Sequence, residues 1–241
     1  MIIGFIGFGE VNKKLAELLK NEDLITSKEQ RSAKTIANID KAEVKTLPTF
    51  KDVAINSDIL ISATSPKKAL ETAKEYGKYS NGVYLDLNNI SPDTVCEINK
   101  HVNLVDGAII GSINKDFTLF LAAPNTDKLE FLSNYFPIKK ISNNIGDASK
   151  IKLLRSIYTK ATSAILIETF DIANSLNLED ELLDTIALTE GDNFKSSAKS
   201  RIENTKNNSQ RKKEELLEII EYFENHDLEM SKATLKKLSN L

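Results

Sequence analysis

An apolar run from Met1 to Ile6 meets a glycine turn, Gly7-Phe8-Gly9, and passes at once into a segment with Leu15, Leu18 and Leu19 on one helical face. Strand, tight turn and helix are the reading, and the rest of the chain has to be compatible with it. In a dinucleotide-binding unit the first glycine permits the turn. The second lets a pyrophosphate approach backbone amides at the helix N-terminus, where the helix dipole favours negative charge. Gly7 and Gly9 fit those roles, and Gly7, Phe8, Gly9, Glu10 and Val11 are the expected cofactor contacts of the turn. The third position of the G-x-G-x-x-G spacing is Asn12, where glycine or alanine would allow close packing of helix on strand. The competing reading is a turn whose glycines serve packing alone.

Composition narrows the remaining possibilities. Lys and Arg number 32 against 35 Asp and Glu, a net charge of -3, so no overall basic field exists to hold a nucleic-acid backbone. One cysteine, Cys96, excludes an internal disulfide and a cysteine-built zinc site, and the histidines His101 and His226 form no ligand cluster. No basic segment followed by a long apolar stretch precedes the first strand, and no run is long enough to span a bilayer. The expectation is a cytoplasmic protein with neither a nucleic-acid nor a membrane partner.

After the first helix, Leu24 to Ser27 has the β-branched character of a second strand. Ser27 falls where NAD enzymes place a carboxylate for the ribose 2′-hydroxyl. The loop from Ser27 to Ser32 instead offers hydroxyls, an amine and the Arg31 guanidinium, which suit the 2′-phosphate of NADP. Ser27, Arg31 and Ser32 are therefore the candidate phosphate contacts; alternatively Glu29 takes the ribose hydroxyls and Arg31 is a solvated charge. Residues 33–48 read as a helix and a short strand ending near Val44, and residues 52–56 as a short helical piece.

Asp58 to Thr64 is an apolar run with polar ends, as a strand buried on both faces should be. It breaks at Ser65-Pro66 before a helix expected over 67–76. Parallel sheets bind ligands at the carboxyl ends of their strands, which makes Ala63, Thr64 and Ser65 candidate cofactor contacts; Ser65 also reads as a helix N-cap with Pro66 at N1. Gly82 to Leu87 is the next strand. It is followed by Asn88 and Asn89, amides able to hold a nicotinamide or substrate oxygen and equally common in turns, and by Ser91, the cap of a helix beginning at Pro92. Strands over 103–106 and 117–123 follow, and repeated strand-helix-strand units argue a parallel, doubly wound sheet extended by later strands.

From Gly146 onward the strand-like runs give way to a long helical pattern through Ile151, Leu154, Ile157, Ala161, Ile165 and Phe170. The fold class is thus α/β, an N-terminal Rossmann sheet over 1–145 and an all-α domain for substrate and dimerisation over 146–241. Apolar positions Leu216, Leu217, Ile219, Ile220 and Phe223 exceed what so small a helical domain covers by itself, which predicts a homodimer. Lys152, Ser156 and Lys160 recur at i, i+4 and i+8, on one helix face, and two lysines there suit an anionic small-molecule substrate such as a carboxylate or phosphate.

These segments together resemble the β-hydroxyacid dehydrogenase superfamily, which includes 6-phosphogluconate dehydrogenase and 3-hydroxyisobutyrate dehydrogenase. Gly4 to Gly9 is similar to that family's cofactor loop, Asp86 to Pro92 to its D-x-S-T-x-S-P segment, and Asp106 to Gly111 to its D-A-P-V-S-G substrate loop. Gly146 to Lys152 is similar to its G-x-G-x-x-x-K, which implies Lys152 as the catalytic lysine at the start of the interdomain helix. The loop serine is replaced by Ile110, with Ser112 close by as a substrate contact, and the asparagine one turn after the lysine is replaced by Ser156. The segments around Leu154 to Lys160 and Glu190 to Phe194 look like a poorly characterised branch known largely from archaea and bacteria. The resemblance implies hydride transfer between NADP(H) and a small hydroxyacid-like substrate. Lys152 would be the general acid/base, Ser156 and Asn89 the neighbouring catalytic groups, and Lys160 a substrate contact. An imine reductase and a cofactor-binding protein without catalysis are the alternatives.

Overall fold

The computed structural model describes residues 1–241, which divide into two compact units, Met1–Lys152 and Leu153–Leu241. In the first unit β1 (Ile2–Ile6), β2 (Asp23–Ser27), β3 (Lys45–Leu47), β4 (Ile59–Ser62) and β5 (Val83–Asp86) alternate with helices α1 (Glu10–Leu18), α2 (Ala33–Lys41), α3 (Phe50–Ile55) and α4 (Ala69–Glu75). Helix α5 (Pro92–Asn99) leads to β6 (Leu104–Gly111), β7 (Phe117–Ala122) and β8 (Ile138–Ser142). The eight strands form one sheet in the order β3-β2-β1-β4-β5-β6-β7-β8.

Alternation decides which face each side chain serves. Ile3, Phe5, Ile59, Ile61, Val83 and Leu85 join the core on one face, while Ile6, Leu60 and Tyr84 join the core on the other. With both faces covered, the central strands read as continuous apolar runs. The order reverses between β1 and β4, so the chain leaves their carboxyl ends in opposite directions, and it is in the crevice between such connections that open α/β sheets bind ligands.

Several expectations change in detail. The sheet is parallel from β3 to β6, but β6 and β7 are antiparallel, with Asp106 opposite Ala122 and Gly111 opposite Phe117. The segment expected to be a substrate loop, Asp106 to Gly111, is therefore strand, because its backbone groups find a ladder partner in β7. The strand expected to end near Val44 begins at Lys45, and the helix expected over 67–76 is a 3₁₀ turn over Pro66–Lys68 followed by α4. Strand β8 was not expected: Lys139 and Lys140 are exposed within it, the charged character of a sheet edge.

Helix α6 (Asp147–Leu176) begins in the first unit and continues through the second, followed by α7 (Glu179–Glu190), α8 (Phe194–Asn207), α9 (Ser209–Tyr222) and α10 (Glu229–Ser239). Leu166, Ile167, Leu183, Ala198 and Ile202 make a core of this second unit. Leu216 and Ile219 of α9 are buried and Leu217 is exposed, so part of the stripe expected to pair two chains is covered within one. No helix is long and apolar enough to cross a membrane.

Candidate functional site

The glycine turn stands at one wall of a cleft of about 430 Å³ that also reaches Arg31, Thr35, Ala63, Thr64, Ser65 and Lys68. Gly7 has φ +82°, and a Cβ there would lie 2.4 Å from the Ala63 carbonyl oxygen, so glycine is required by the fold itself. Gly9 is different. It precedes α1 with φ -79° and ψ -159°, and a Cβ would meet nothing within 4 Å. No neighbour in the protein demands glycine at position 9, whereas a ligand drawn onto the amides of the α1 N-terminus would. On that test the residues present fit a dinucleotide pyrophosphate. Glu10 is turned to Asn114, which donates to its carboxylate. Val11 is partly buried against the sheet core.

Asn12 is fully buried, and its Nδ2 donates to the carbonyls of Ile6 at 3.2 Å and Gly7 at 2.8 Å. The incomplete fingerprint thus carries a substitute device: an amide that fixes the turn from inside.

The three residues expected at a 2′-phosphate separate. Ser27 is buried, and its Oγ donates to the Pro48 carbonyl at 3.2 Å and accepts the Glu29 amide at 3.1 Å, which removes it from the cleft surface. Ser32 is the N-cap of α2 and accepts the Thr35 amide. Arg31 alone of the three lines the cleft, held by its Nε donating to the Glu29 carbonyl at 3.0 Å and by its guanidinium 4.8 Å over the Phe50 ring. The Glu29 carboxylate accepts the Phe50 amide at 2.8 Å, so it is engaged at the start of α3.

At the ends of β4 and β5 Asn88 is buried and saturated. Its Oδ1 accepts the Thr64 amide at 2.6 Å, and its Nδ2 donates to Asp86 at 2.7 Å and to the Ser62 hydroxyl at 3.1 Å. It works as a latch between two strand ends. Asn89 is exposed beside it, and Ser65 makes no capping hydrogen bond although Pro66 does sit at N1. Ala63, Thr64 and Ser65 all border the cleft.

Two carboxylates that sequence reasoning left out of the site lie next to this latch. Asp86 and Asp106 are register partners across β5 and β6, and both are buried. Burial pushes the Asp86 pKa up to about 7; its bonds from Asn88 hold it down, the Asp106 charge raises it and the Lys152 charge lowers it. Burial also raises Asp106, opposed by donors at the start of α6, including the Ser149 amide at 3.1 Å and hydroxyl at 2.8 Å. Their sequence signal was an acid closing an apolar run, but only strand register shows that the two meet.

Lys152 is half-buried on the first turns of α6, with its charge felt at Asp86. The residues expected one and two turns on are engaged elsewhere. Lys160 is 5% exposed, and its Nζ donates to the Ser156 hydroxyl and to the partly exposed Glu215 of α9 at 2.9 Å, an ion pair within the helical unit rather than an ammonium presented to a substrate. Ser112 is exposed in the β6–β7 hairpin, its amide bonded to the Asp116 carbonyl at 3.0 Å. Thr35 and Lys68, which the sequence did not single out, reach the cleft because α2 and the 3₁₀ turn start at its edge.

Comparison with known proteins agrees with this fold. The family described as NADP oxidoreductase, coenzyme F420-dependent, matches residues 2–89. An uncharacterized 28.5 kDa protein encoded in the 7S RNA 5′ region of Methanothermus fervidus is 43% identical over 233 residues, 95% of this chain and 93% of that one. The solved structure of a conserved protein of unknown function, described as structurally similar to 3-hydroxyacid dehydrogenases, is 34% identical with a TM-score of 0.88, covering 100% of this chain and 96% of that chain. A Mycobacterium tuberculosis 3-hydroxyisobutyrate dehydrogenase shares the fold at 11% identity, TM-score 0.81, over 99% of this chain and 92% of that one. The chain belongs to the family of the Methanothermus protein, within the superfamily of 6-phosphogluconate dehydrogenase-like and β-hydroxyacid dehydrogenase-like oxidoreductases.

Proposed function

We propose that this protein is an NADP-dependent oxidoreductase acting on a small hydroxyacid-like substrate, with Lys152 as the proton carrier. The observation that carries the reading is the open position at Gly9, on a turn whose other glycine the fold itself requires. The α1 amides would hold the pyrophosphate and Arg31 the 2′-phosphate. Bound there, the nicotinamide group supplies or accepts the hydride. Lys152 holds or releases the proton at the substrate oxygen, and its charge acts on the buried Asp86 carboxyl, opposing the burial that raises that group. Asn89, exposed beside the Asn88 latch, is available to orient the substrate.

The test is NADPH oxidation against a panel of keto acids and cyclic imines, then Lys152→Ala on whichever substrate turns over. Turnover should fall about a hundredfold or more, the usual contribution of a general acid/base, with cofactor affinity kept. Full turnover in Lys152→Ala refutes the lysine and favours imine reduction with another proton donor. The match of residues 2–89 to an F420-dependent family favours a second reading, hydride exchange between NADP(H) and coenzyme F420, which the same assay detects when that coenzyme replaces the organic substrate.

A further inference from the structure

The first turn of α1 carries an acid, Glu10, immediately after the open Gly9 position. Gly9 has no side chain to cap the helix, so the first amides of α1 are left to whatever acceptor reaches them. A carboxylate one residue away is such an acceptor. The Cα–Cβ bonds of a helix tilt towards its N-terminus, and the helix dipole draws negative charge to that end. An unrestrained Glu10 therefore competes with a phosphate for the same amides, and repels it.

Glu10 is restrained. Its carboxylate accepts a hydrogen bond from Asn114 Nδ2, 104 residues on, while the cation one turn along the helix, Lys14, is drawn to Glu17 at 3.3 Å. Asn114 is itself held in a β-turn, with the Lys115 amide bonded to the Ser112 carbonyl at 2.9 Å and the Ser112 amide to the Asp116 carbonyl at 3.0 Å. Gly111, at φ +109°, lies so close to that Asp116 carbonyl that a Cβ would be 2.3 Å from its oxygen, and Ile113 packs on the sheet core. Helix α1 and this hairpin border one cavity of about 440 Å³, α1 through Lys14 and Leu18, the hairpin through Asn114 and Lys115. The tip is thus fixed against the helix, with its side-chain amide at Glu10.

We infer, on the dinucleotide reading proposed above, that Asn114 is a positioning residue for the cofactor: it draws the Glu10 carboxylate aside from the α1 amides and keeps that helix end open to a pyrophosphate. Glu10 does not line the cofactor cleft although Gly7, Phe8 and Gly9 before it do, which is the arrangement the tie to Asn114 produces. The β6–β7 hairpin thereby acts on nucleotide binding through Glu10. A unit charge facing the two charges of a pyrophosphate from about 7 Å in a water-like dielectric weakens binding roughly fivefold to tenfold.

Fluorescence titration of the full chain with NADPH tests this role. Asn114→Ala should raise the NADPH dissociation constant about fivefold at low salt, with unchanged circular dichroism, and the deficit should shrink to under about twofold at about 0.5 M salt, where exposed charges are screened. In a Glu10→Gln background, which removes the charge, Asn114→Ala should have almost no effect. Asn114→Asp sets a like charge against Glu10 and should weaken NADPH at least as much as Asn114→Ala. Glu10→Gln should restore affinity to Asn114→Asp, because the glutamine amide can donate to the new carboxylate. Wild-type affinity in Asn114→Ala overturns the inference, and so does a loss that persists at high salt or in the Glu10→Gln background, since a hairpin that merely supports the fold behaves that way. Should Asn114→Ala fail to fold, the aspartate variant with and without Glu10→Gln still decides. A wild type that binds neither NADPH nor NADH refutes the dinucleotide reading and this role with it, whereas NADPH binding that ignores Asn114 refutes the role alone.

Discussion

The two glycines of the nucleotide turn should separate folding from binding. Gly7→Ala puts an L-residue at φ +82°, which costs about 1–2 kcal/mol in the left-handed region, and drives its Cβ to 2.4 Å from the Ala63 carbonyl oxygen. Relieving that overlap moves the end of β4, at a further cost of about 1–3 kcal/mol. Gly9→Ala has an ordinary extended backbone, an open Cβ position and no side-chain cap to lose, so its stability cost is under about 1 kcal/mol. The same methyl occupies the space through which a pyrophosphate reaches the α1 amides, so NADPH affinity should drop about a hundredfold, or about 2.7 kcal/mol. The chain has no tryptophan, so unfolding is best followed by circular dichroism and binding by the fluorescence of NADPH itself. Saturating NADPH at a hundred times its dissociation constant should stabilise the wild type by about 2.7 kcal/mol and leave Gly9→Ala almost unmoved. A Gly9→Ala protein that folds and binds NADPH like the wild type refutes the assignment of this turn to a dinucleotide.

Arg31→Ala should weaken NADPH by about 1.5–3 kcal/mol, the size of a hydrogen bond to a charged group, and leave NADH nearly unchanged in parallel titrations; equal losses for both would mean that Arg31 only packs on Phe50. Asp86, raised in the folded state from 3.8 to about 7, binds a proton in the native protein that the unfolded chain has released, so stability falls as pH rises from about 4 to about 7. Asp86→Asn should remove that part of the slope in denaturation midpoints measured over this range, and an unaltered slope would assign it to other groups such as Asp106. Lys160→Met should cost about 3 kcal/mol of stability or less, because Glu215 is left without its partner but keeps 34% exposure and Arg211 at 3.8 Å, while the Michaelis constant stays put; a raised Michaelis constant in a stable variant would return Lys160 to the substrate.

Much of the fold could be read from the sequence because β1, β4 and β5 are covered on both faces, which leaves uninterrupted apolar runs between polar ends. The edge offered no such signal. Lys139 and Lys140 are exposed within β8, so no apolar run marks the strand. The reversal between β6 and β7 was hidden for another reason: the hairpin from Ser112 to Asp116 lacks the short Asn-Gly type of turn, and Gly111 with φ +109° makes the bend from inside the strand. Helical stripes were visible on both α6 and α9, but an apolar stripe records only that something covers it. Leu216 and Ile219 are covered by the same chain, and Leu154 and Ile165 are not.

The site was legible as residue types and illegible as hydrogen-bond capacity. A hydroxyl, amide or ammonium can serve a ligand only with donors and acceptors that the fold leaves open, and sequence does not say which are already engaged. Ser27 has both roles of its hydroxyl filled by Pro48 and Glu29, Asn88 has its amide filled by Thr64, Ser62 and Asp86, and Lys160 is held by Ser156 and Glu215. What these bonds fix is the framework on which the accessible groups stand. The Asn88 latch joins the ends of β4 and β5 beneath exposed Asn89, the Arg31 guanidinium is aimed by Glu29 and Phe50, and Asp106 receives the start of the helix that carries Lys152. A residue predicted as a contact and found instead as a support therefore still constrains the site. Its replacement should act by moving Asn89, Arg31 or Lys152, and should lower turnover and stability together, whereas replacing an accessible group should lower turnover or affinity alone.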